Sequence, residues 1–369
     1  MKKICFVFII LIYSCGIGFA QSPYIAYKGN LHSHTSLSDG EGTPEEAFIY
    51  ARDSAHLDFL AVTDHLEQIY LDLLAWFETQ GDADNATVNG SYVAMAGYEW
   101  GSPQYGHCNV LNTGALLSAL TYTDWPAFCQ DVVDEYPAIG QFNHPAEEIY
   151  FSNWNNFDYM GTVIDSSFNL IEIEDLYQEQ WYITALNSGW HLSPVANQDN
   201  HSADWGTKND KRAGIWATDL SRTSLFNAMR SGRTFASWDK NAEIWIDING
   251  HSMGQPVQKD YDMALHIFLD DADNEPWLSV EVITGAGTIL SFASSNGLID
   301  TTVYITPESF NWLYVRAGQD DYQFLWSAPV YFTGTLSQVK DRQHVPLTDL
   351  KIYPNPAKDE FTLNFNMDS

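Results

Sequence analysis

Residues 27–35 read YKGNLHSHT, a short strand-like run that ends in two histidines, and Ser38-Asp39-Gly40 follows as a turn. Side chains alternate along a β-strand, so His32 and His34, two residues apart, point to the same side of the chain. Imidazole nitrogens on one side can bind one metal ion together. The segment therefore predicts a strand that ends in a metal site.

The same arrangement recurs over residues 24–238, where short apolar runs end in His, Asp or Glu and helical stretches lie between them. Thr43-Pro44-Glu45-Glu46 is a capping box that opens one of these helices. Strands that alternate with helices predict a parallel sheet, and polar residues collected past the strand ends predict a barrel with its active site at that rim.

Residues 240–334 have a different pattern, because strand-like segments follow one another with turn residues between them and no convincing helix. This pattern predicts a small all-β sandwich domain. Residues 335–347 are expected to be a linker.

The composition narrows the choice of function. The chain has 369 residues, a formal net charge of -31 and a hydrophobic fraction of 45%. The hydrophobic fraction excludes wholesale disorder, and the acidic balance argues against nucleic-acid binding, which needs a basic surface. An anionic substrate would need a local positive centre.

The two ends of the chain indicate export. Residues 1–20 combine a basic start, an apolar run and small residues, which predicts a secretory signal peptide; lipoprotein processing at Cys15 is the less favoured alternative. No later stretch is long and apolar enough to span a membrane. Without the leader, Cys108 and Cys129 remain, and either a disulfide or two free thiols is compatible with the sequence.

Residues 348–369 contain Tyr353-Pro354-Asn355-Pro356 and resemble the start of the C-terminal sorting domain of the type IX secretion system. The resemblance implies the type IX secretion machinery as a partner and a Gram-negative source. It also implies release from the cell or attachment to its surface, and a sorting domain truncated in this chain.

Nine side chains near predicted strand ends are candidate metal ligands. Burying so many imidazoles and carboxylates without a metal would be costly, so one shared site is the better interpretation. They are six histidines and three carboxylates: His32, His34, Asp39, His65, Glu99, His107, His144, Asp199 and His201.

The order of these motifs resembles the polymerase and histidinol phosphatase (PHP) family, and the pairing with a β domain is most similar to its CehA/McbA-like subgroup. The resemblance implies a distorted (β/α)7 TIM-like barrel with two to three divalent ions, Zn, Mn or Fe. Carried over by position, it implies a first metal held by His32, His34, Glu99 and Asp199, a second by Glu99, His107 and His144, and a third by Asp39, His65 and His201.

Such ions would make the pocket positive inside an acidic protein, and paired metals can supply a bridging hydroxide as the nucleophile. In this hypothesis Glu99 is catalytic, Asp64 either orients His65 or caps a helix, and Arg212 and Arg233 clamp the anion. Lys208 is interpreted as part of a surface or interdomain salt bridge. Glu172 faces the barrel interior, either near the site or in a structural ion pair.

Three functions remain open at this point. The first is a secreted phosphoesterase for a small anionic ester. The second is a carboxylic or carbamate ester hydrolase at the same metal site, which the ligand set cannot separate from the first. The third is a surface binding protein whose metal is structural, which the large ligand set disfavours because a structural zinc site needs four ligands.

Overall fold

The computed structural model describes residues 23–117, 123–148 and 151–336. The predicted signal peptide and the sorting segment at 348–369 lie outside the described residues. Within the described part, no helix is long and apolar enough to cross a membrane. Cys108 and Cys129 are both buried free thiols, which decides between the two alternatives left by the sequence.

The first two thirds of the chain alternate strands with helices. The strands are β1 (Ile25–Asn30), β2 (Phe59–Val62), β3 (Val93–Ser102), β4 (Gly106–Leu111), β5 (Ile139–Asn143), β6 (Phe168–Glu172), β7 (Ser193–Val195), β8 (Arg212–Ala217) and β9 (Thr234–Ser237). The helices are α1 (Pro44–Asp53), α2 (Leu66–Ile69), α3 (Leu73–Ala86), α4 (Trp125–Asp134), α5 (Asn153–Phe157), α6 (Thr162–Asp165), α7 (Leu176–Ser188) and α8 (Arg222–Arg230). The short α5 has positive φ throughout and is a left-handed turn.

Helix α1 begins where the capping box predicts. The Thr43 hydroxyl accepts a hydrogen bond from the Glu46 amide at 3.2 Å, and the Glu46 carboxylate accepts one from the Thr43 amide at 2.9 Å. These two bonds satisfy amides that a helix start otherwise leaves unpaired. The helix buries Ala47, Phe48 and Ala51 in a cluster that it shares with β2 and β3.

The main sheet has the strand order β9-β8-β1-β2-β3-β4-β5-β6-β7. Strands β1 to β3 are mutually parallel, as are β5 to β7, whereas β4 is antiparallel to both its neighbours. Strand β8 is antiparallel to β1, and β9 to β8. The mixed α/β fold is thus confirmed, but the purely parallel sheet expected from alternation is wrong at β4 and β8, which run opposite to the other strands.

The sheet curves without closing through a strand ladder among the described residues. Its two ends approach each other at β7 and β9, where the Thr234 hydroxyl donates to the Pro194 carbonyl at 2.9 Å. The inner apolar cluster includes Leu31, Met95 and Ile215 and fills the space below the site. The distorted barrel of the sequence prediction is therefore open in its backbone hydrogen bonding.

The remaining strands form two packed sheets. They are β10 (Ala242–Ile248), β11 (His251–Ser252), β12 (Pro256–Gln258), β13 (Met263–Asp271), β14 (Trp277–Thr284), β15 (Gly287–Ser294), β16 (Ile299–Ile305), β17 (Trp312–Gln319), β18 (Phe324–Ser327) and β19 (Val330–Thr333). One sheet has the order β11-β10-β13-β16, and the other contains β12-β19-β17-β18 with β14 and β15 paired beside β17. Alternate residues of both sheets, such as Ile246 and Val282, share one apolar core.

The second region is attached firmly to the first. Strand β18 pairs with β9, so a sheet of the second region continues the main sheet. Arg316 of β17 forms an ion pair with Glu179 of α7, and the Tyr314 hydroxyl donates to Glu179 at 2.7 Å. Glu179 is fully buried. The contact between the two regions therefore includes a carboxylate that is shielded from water and bound by two side chains of β17.

Candidate metal centre

One end of the main sheet collects the predicted ligands. His32 and His34 follow β1, where Ser33 pairs with Asn200. His65 follows β2 and pairs with Glu99 in β3. His107 lies at the start of β4, opposite Gly101, and reaches the same end because β4 runs in the reverse direction. The reversed direction of β4 therefore explains why His107 lies at the start of its strand, whereas most of the other ligands follow theirs.

Glu99 lies at the centre of the cluster and is 1% exposed. Its Oε1 atom is 3.3 Å from ring nitrogens of three histidines, and its Oε2 atom is 3.4 and 3.2 Å from those of two more. Burial alone would raise the pKa of the Glu99 carboxyl, but the surrounding imidazoles hold that pKa well below its usual range. The carboxylate is thus ionised, and the five histidines are His32, His107 and His144 on Oε1 and His34 and His65 on Oε2.

A second group forms beside Glu99. The Nε2 atoms of His32 and His34 are 3.2 Å apart, and Asp199 Oδ1 is 3.2 Å from the first and 3.1 Å from the second. Four ligands at about 2.0–2.1 Å from one zinc ion would be about 3.3 Å apart from one another. The spacing therefore fits donors that converge on a common ion.

An unsatisfied atom supports the same interpretation. Asp199 Oδ1 is buried and has no hydrogen bond within the described residues, although two imidazole nitrogens lie close to it. Buried carboxylate oxygens without partners are costly. A cation at the point where these groups converge would satisfy the oxygen and both nitrogens together.

The third group lies at the mouth of the cluster. Asp39 Oδ1 is 3.3 Å from His201 Nε2 and 3.6 Å from His65 Nε2. The Nδ1 atom of His34 is 3.8 Å from the same oxygen, and its ring stacks on that of His201 at 4.1 Å. Because Asp39 is half exposed, this group is open to solvent. The structure thus brings all nine predicted ligands together, with His34 between two groups.

The field of the carboxylates favours positive charge at this place. Burial lowers the pKa of His34, but Asp199 and Glu99 outweigh burial and raise it to about 9. Burial likewise lowers the pKa of His32, and Asp199, Glu99 and Glu172 together raise it well above its usual value. Such a pocket attracts protons when no metal is bound and divalent cations when they are available.

Two ligands have an unusual backbone. His144 has φ 29° and Asp199 has φ 41°, a region that residues other than glycine rarely adopt. Neighbouring groups hold both in place: the His144 amide donates to Glu172 at 2.7 Å, and the Lys208 ammonium donates to the Asp199 carbonyl at 3.2 Å. Strained backbone that is held by surrounding bonds is typical of functional sites.

Glu172 is a buried carboxylate that contacts the cluster without belonging to the three ligand groups. It is completely buried, and its carboxylate binds His32 Nδ1 at 2.9 Å. It also accepts hydrogen bonds from the side-chain amides of Gln141 at 3.1 Å and Asn197 at 2.8 Å. A proton held on Nδ1 of His32 leaves Nε2 free to bind a metal. The position of Glu172 in the alternating pattern of β6 predicted that its side chain points inward, but the sequence could not show its partners.

The structure assigns Asp64 a different position from the expected one. Its carboxylate accepts hydrogen bonds from the Thr35 amide, the Thr35 hydroxyl and the Ser38 hydroxyl, at 2.6–2.7 Å. None of its hydrogen bonds among the described residues goes to His65. Asp64 therefore anchors the loop that leads from His34 to Asp39, and the prediction that it orients His65 is not supported by these contacts.

The two predicted anion clamps are wrong. Arg212 is buried, and its guanidinium donates to the backbone carbonyls of Gly206, Asn209 and Lys211 at 2.7–3.1 Å. It therefore holds a loop instead of facing the cluster. Arg233 precedes β9 and donates to the Trp216 carbonyl at 3.2 Å. Trp216 pairs with the first half of β1, which is the opposite end of the strand from the histidines.

Lys208 also differs from its expected role. Its ammonium donates to the carbonyls of Gln198 at 3.1 Å and Asp199 at 3.2 Å. Both carbonyls belong to the segment that carries a candidate ligand, so Lys208 steadies that ligand's backbone. The sequence offered no signal for this contact, because a single lysine is most often solvated.

Three solved structures show a likeness to the chain. One is a two-domain protein containing predicted PHP-like metal-dependent phosphoesterase from Bacteroides vulgatus ATCC 8482. The match has 15% sequence identity and a TM-score of 0.46, and it covers 82% of this chain and 92% of that chain. Another is PsfC from Pseudomonas syringae PB-5123, at 14% identity, 57% of this chain and 90% of that chain, with a TM-score of 0.37. A third is the lesion-specific endonuclease PfuEndoQ from Pyrococcus furiosus, at 10% identity, 56% of each chain and a TM-score of 0.36.

The first of these proteins carries in its description the family that the sequence motifs resemble. No protein-family model matches the chain, and no curated protein matches it. Likeness at these identities and TM-scores does not assign a function to the chain.

Proposed function

We propose that the chain is a metal-dependent hydrolase that acts on a phosphate ester. The observation that carries the proposal is Glu99, a buried and ionised carboxylate with ring nitrogens of five histidines 3.2–3.4 Å from its oxygens. The five ring nitrogens and the Asn143 amide, which donates to Oε1 at 2.8 Å, outnumber the roughly four hydrogen bonds that a carboxylate can accept. Two to three divalent ions do account for them.

The ions would be held in the three groups described above, with Glu99 shared between two of them. Bound there, divalent ions would lower the pKa of a water molecule towards neutrality and stabilise the negative charge that develops on the substrate. The chain's own residues keep the ligands in position. Glu172 fixes the tautomer of His32, Asp64 holds the loop to Asp39, and Lys208 holds the backbone of Asp199.

Neither cysteine of the described residues is suited to act as the nucleophile. Cys108 and Cys129 are buried, and burial raises the pKa of both thiols well above the usual value. A neutral, inaccessible thiol does not attack an ester. This supports a reaction in which water attacks and the His–carboxylate cluster provides the activation.

The second candidate is a carboxylic or carbamate ester hydrolase at the same site. One observation favours it: neither Arg212 nor Arg233 reaches the cluster, so no arginine clamp for a phosphate comes from the two positions expected to supply it. The phosphate proposal then depends on the charge of the ions themselves. A surface binding protein with a structural metal is disfavoured by the open mouth of the cluster at Asp39.

A substrate panel tests the proposal. Purified protein, loaded in turn with Mn, Zn or Fe, is offered nitrophenyl phosphate monoesters and diesters beside carboxylic and carbamate esters, with a chelator control in each series. Chelator-sensitive release from a phosphate ester is the expected result. Release only from the carbon esters would replace the phosphate assignment with the second candidate, and no release from a metal-loaded protein would contradict hydrolase activity on these ester classes.

Export and partners belong to the same proposal. We infer secretion or surface attachment in a Gram-negative bacterium, with the type IX machinery as partner, from the leader pattern in residues 1–20 and the sorting motif after residue 348. Nucleic acid is not proposed as a ligand, because a net charge of -31 opposes a phosphate backbone. We also propose that residues 24–238 form the catalytic domain, residues 240–334 a β-sandwich domain and residues 335–347 a linker.

A further inference from the structure

A second group of carboxylates lies far along the chain from the histidine ligands, where β9 leads into the sandwich. Asp239 follows β9, Asp271 ends β13, and Glu275 lies in the loop before β14. One oxygen atom of each lies within 4.8 Å of the other two. Asp239 and Asp271 are 6% and 3% exposed, so two of these charges are removed from water.

Asp239 acts electrostatically on the buried Arg212 guanidinium, but that guanidinium donates its hydrogen bonds to backbone carbonyls and forms no salt bridge with the group among the described residues. The ion pairs of the described part of the chain include none to Asp239, Asp271 or Glu275. Asp239 instead accepts hydrogen bonds from the backbone amide of Asn241 at 2.7 Å, and Asp271 from that of Glu275 at 2.7 Å. Backbone amides carry only partial charges, so the buried cluster keeps most of its negative charge.

Two side-chain amides add an independent observation. Gln319 is 4% exposed, and its Nε2 atom donates to Asp271 Oδ2 at 3.0 Å, whereas its Oε1 atom is buried without a hydrogen-bond partner. The amide oxygen and nitrogen share one carbon, which places Oε1 within about 5 Å of that carboxylate oxygen. Asn241, two residues after Asp239, also has a buried Oδ1 without a hydrogen-bond partner, although its Nδ2 donates outside the group, to Asp273 at 2.7 Å.

The donors identify the kind of ion. Carboxylate and amide oxygens bind hard cations, and no imidazole or thiolate takes part in the group. Calcium accepts six to eight such oxygens at irregular angles, whereas magnesium demands a near-octahedral shell and keeps several waters. Ligands from three separate loops, two of them buried and with amide oxygens nearby, suit calcium better.

We propose that Asp239, Asp271 and Glu275, with the amide oxygen of Gln319, bind one calcium ion. The ion joins the end of β9 to the loop after β13 and to the end of β17, and so fastens the sandwich to the main sheet. This site is separate from the proposed hydrolytic site in residues and in ligand chemistry. Its failure would leave the hydrolase proposal intact.

The test uses the full chain with its histidine cluster already saturated with zinc, freed of calcium and then titrated with CaCl2 in a calorimeter. We expect one calcium per chain and a rise of several degrees in the melting temperature at saturation. Glu275→Gln should weaken calcium binding about tenfold or more, because it removes a charged ligand. Glu308→Gln, an exposed change elsewhere in the sandwich, is the matched control and should bind calcium as the wild type does.

Glu275 is the deciding position because its side chain has no hydrogen bond within the described residues, so Glu275→Gln leaves the fold intact. Asp271→Asn is the second variant and should abolish binding. The proposal is overturned if calcium up to about 5 mM produces neither heat nor a shift in melting temperature. It is equally overturned if Glu275→Gln binds as the control does, or if magnesium binds and calcium does not.

Discussion

The rim of the main sheet and the core of the sandwich bury very different side chains. Strand β13 of the sandwich buries every second residue, among them Leu265, Ile267 and Leu269. At the rim, positions with equal burial carry His32, Glu99 and other polar groups. An apolar core is stabilised by burial itself, whereas a buried polar cluster needs partners or ions to be stable. The rim therefore depends on what binds there, and the sandwich core does not.

Backbone strain follows the same division. In the sandwich, positive φ occurs at turn residues such as Asn249, Asp262 and Asn274, types that tolerate this conformation. At the rim it occurs at two candidate ligands, His144 and Asp199. In the sandwich the strained backbone forms turns, whereas at the rim it orients the donor atoms of candidate ligands. If the two regions are stabilised independently, a change in the core of one should leave the other unaltered.

The largest expected effect is from Glu99→Gln. Removing the charge at the centre of five imidazoles should lower turnover about 10³-fold or more and reduce the bound metal. Metal analysis and kinetics on the same samples measure both. Glu78→Gln, an exposed change on α3, is the control and should be normal in both. Wild-type turnover in Glu99→Gln would refute the metal-centre account.

The next effect is in the sandwich. Ile246 is fully buried, and Ile246→Ala should lower the free energy of unfolding by about 2–5 kcal/mol through lost burial and a cavity. Thermal denaturation measures the loss. The metal content per folded chain should not change. A loss of metal at temperatures where the variant is folded would show that the two regions are not independent in the way described.

The rim should also respond to pH. His34 has a pKa raised to about 9, so the metal-free protein gains stability from its protonated form below about pH 6.5 and loses it as the pH rises through 9. Metal binding has to displace that proton, and any proton on Nε2 of His32 as well, so metal affinity should rise at least about tenfold per pH unit in this window. Chelator competition at several pH values measures the slope. A flat profile would mean that His34 is neutral or does not bind metal.

A smaller change is expected from Glu172→Gln. The side chain contacts His32 without being a proposed ligand, and its loss should weaken metal binding about 10–100-fold. Excess metal should then restore much of the turnover, which separates a positioning role from a direct one. Turnover that stays low at saturating metal, with the metal bound, would give Glu172 a more direct part in the reaction.

The smallest effect is expected from Arg233→Ala. Its guanidinium stacks 4.4 Å from the Tyr24 ring at the end of β1 away from the histidines, a contact of about 0.5–1 kcal/mol. The melting temperature should fall slightly, and KM for an anionic substrate should not change. An increase in KM of severalfold would restore the anion clamp that the contacts of Arg233 contradict.

The sequence revealed the ligands better than the residues around them. His32 and His34 could be placed together because strand geometry fixes the direction of residues two apart. His144 follows β5 as predicted, whereas β3 continues past the expected end and holds Glu99 inside the strand. Such a pattern indicates where a residue lies along a strand. This position largely determines which side chains meet at one edge of the sheet and can share a metal ion.

The errors have a common physical origin. The alternation of strands and helices does not reveal that β8 runs antiparallel to β1. Strand β9 runs in the same direction as β1, so Arg233, which precedes β9, lies at the end of the sheet opposite to the histidines. The sequence gives the charge of Arg212 but not its orientation, which three backbone carbonyls determine. The partners of Glu172 come from several separate strands and loops, and no local pattern contains that information.

The most direct measurement is anomalous diffraction from crystals grown with excess zinc or manganese. The account predicts a metal peak between His32, His34, Glu99 and Asp199, at about 2.0–2.2 Å from their donor atoms. It also predicts at least one further peak on the other side of Glu99. A metal-soaked crystal with these side chains ordered and no anomalous peak among them would contradict the central claim.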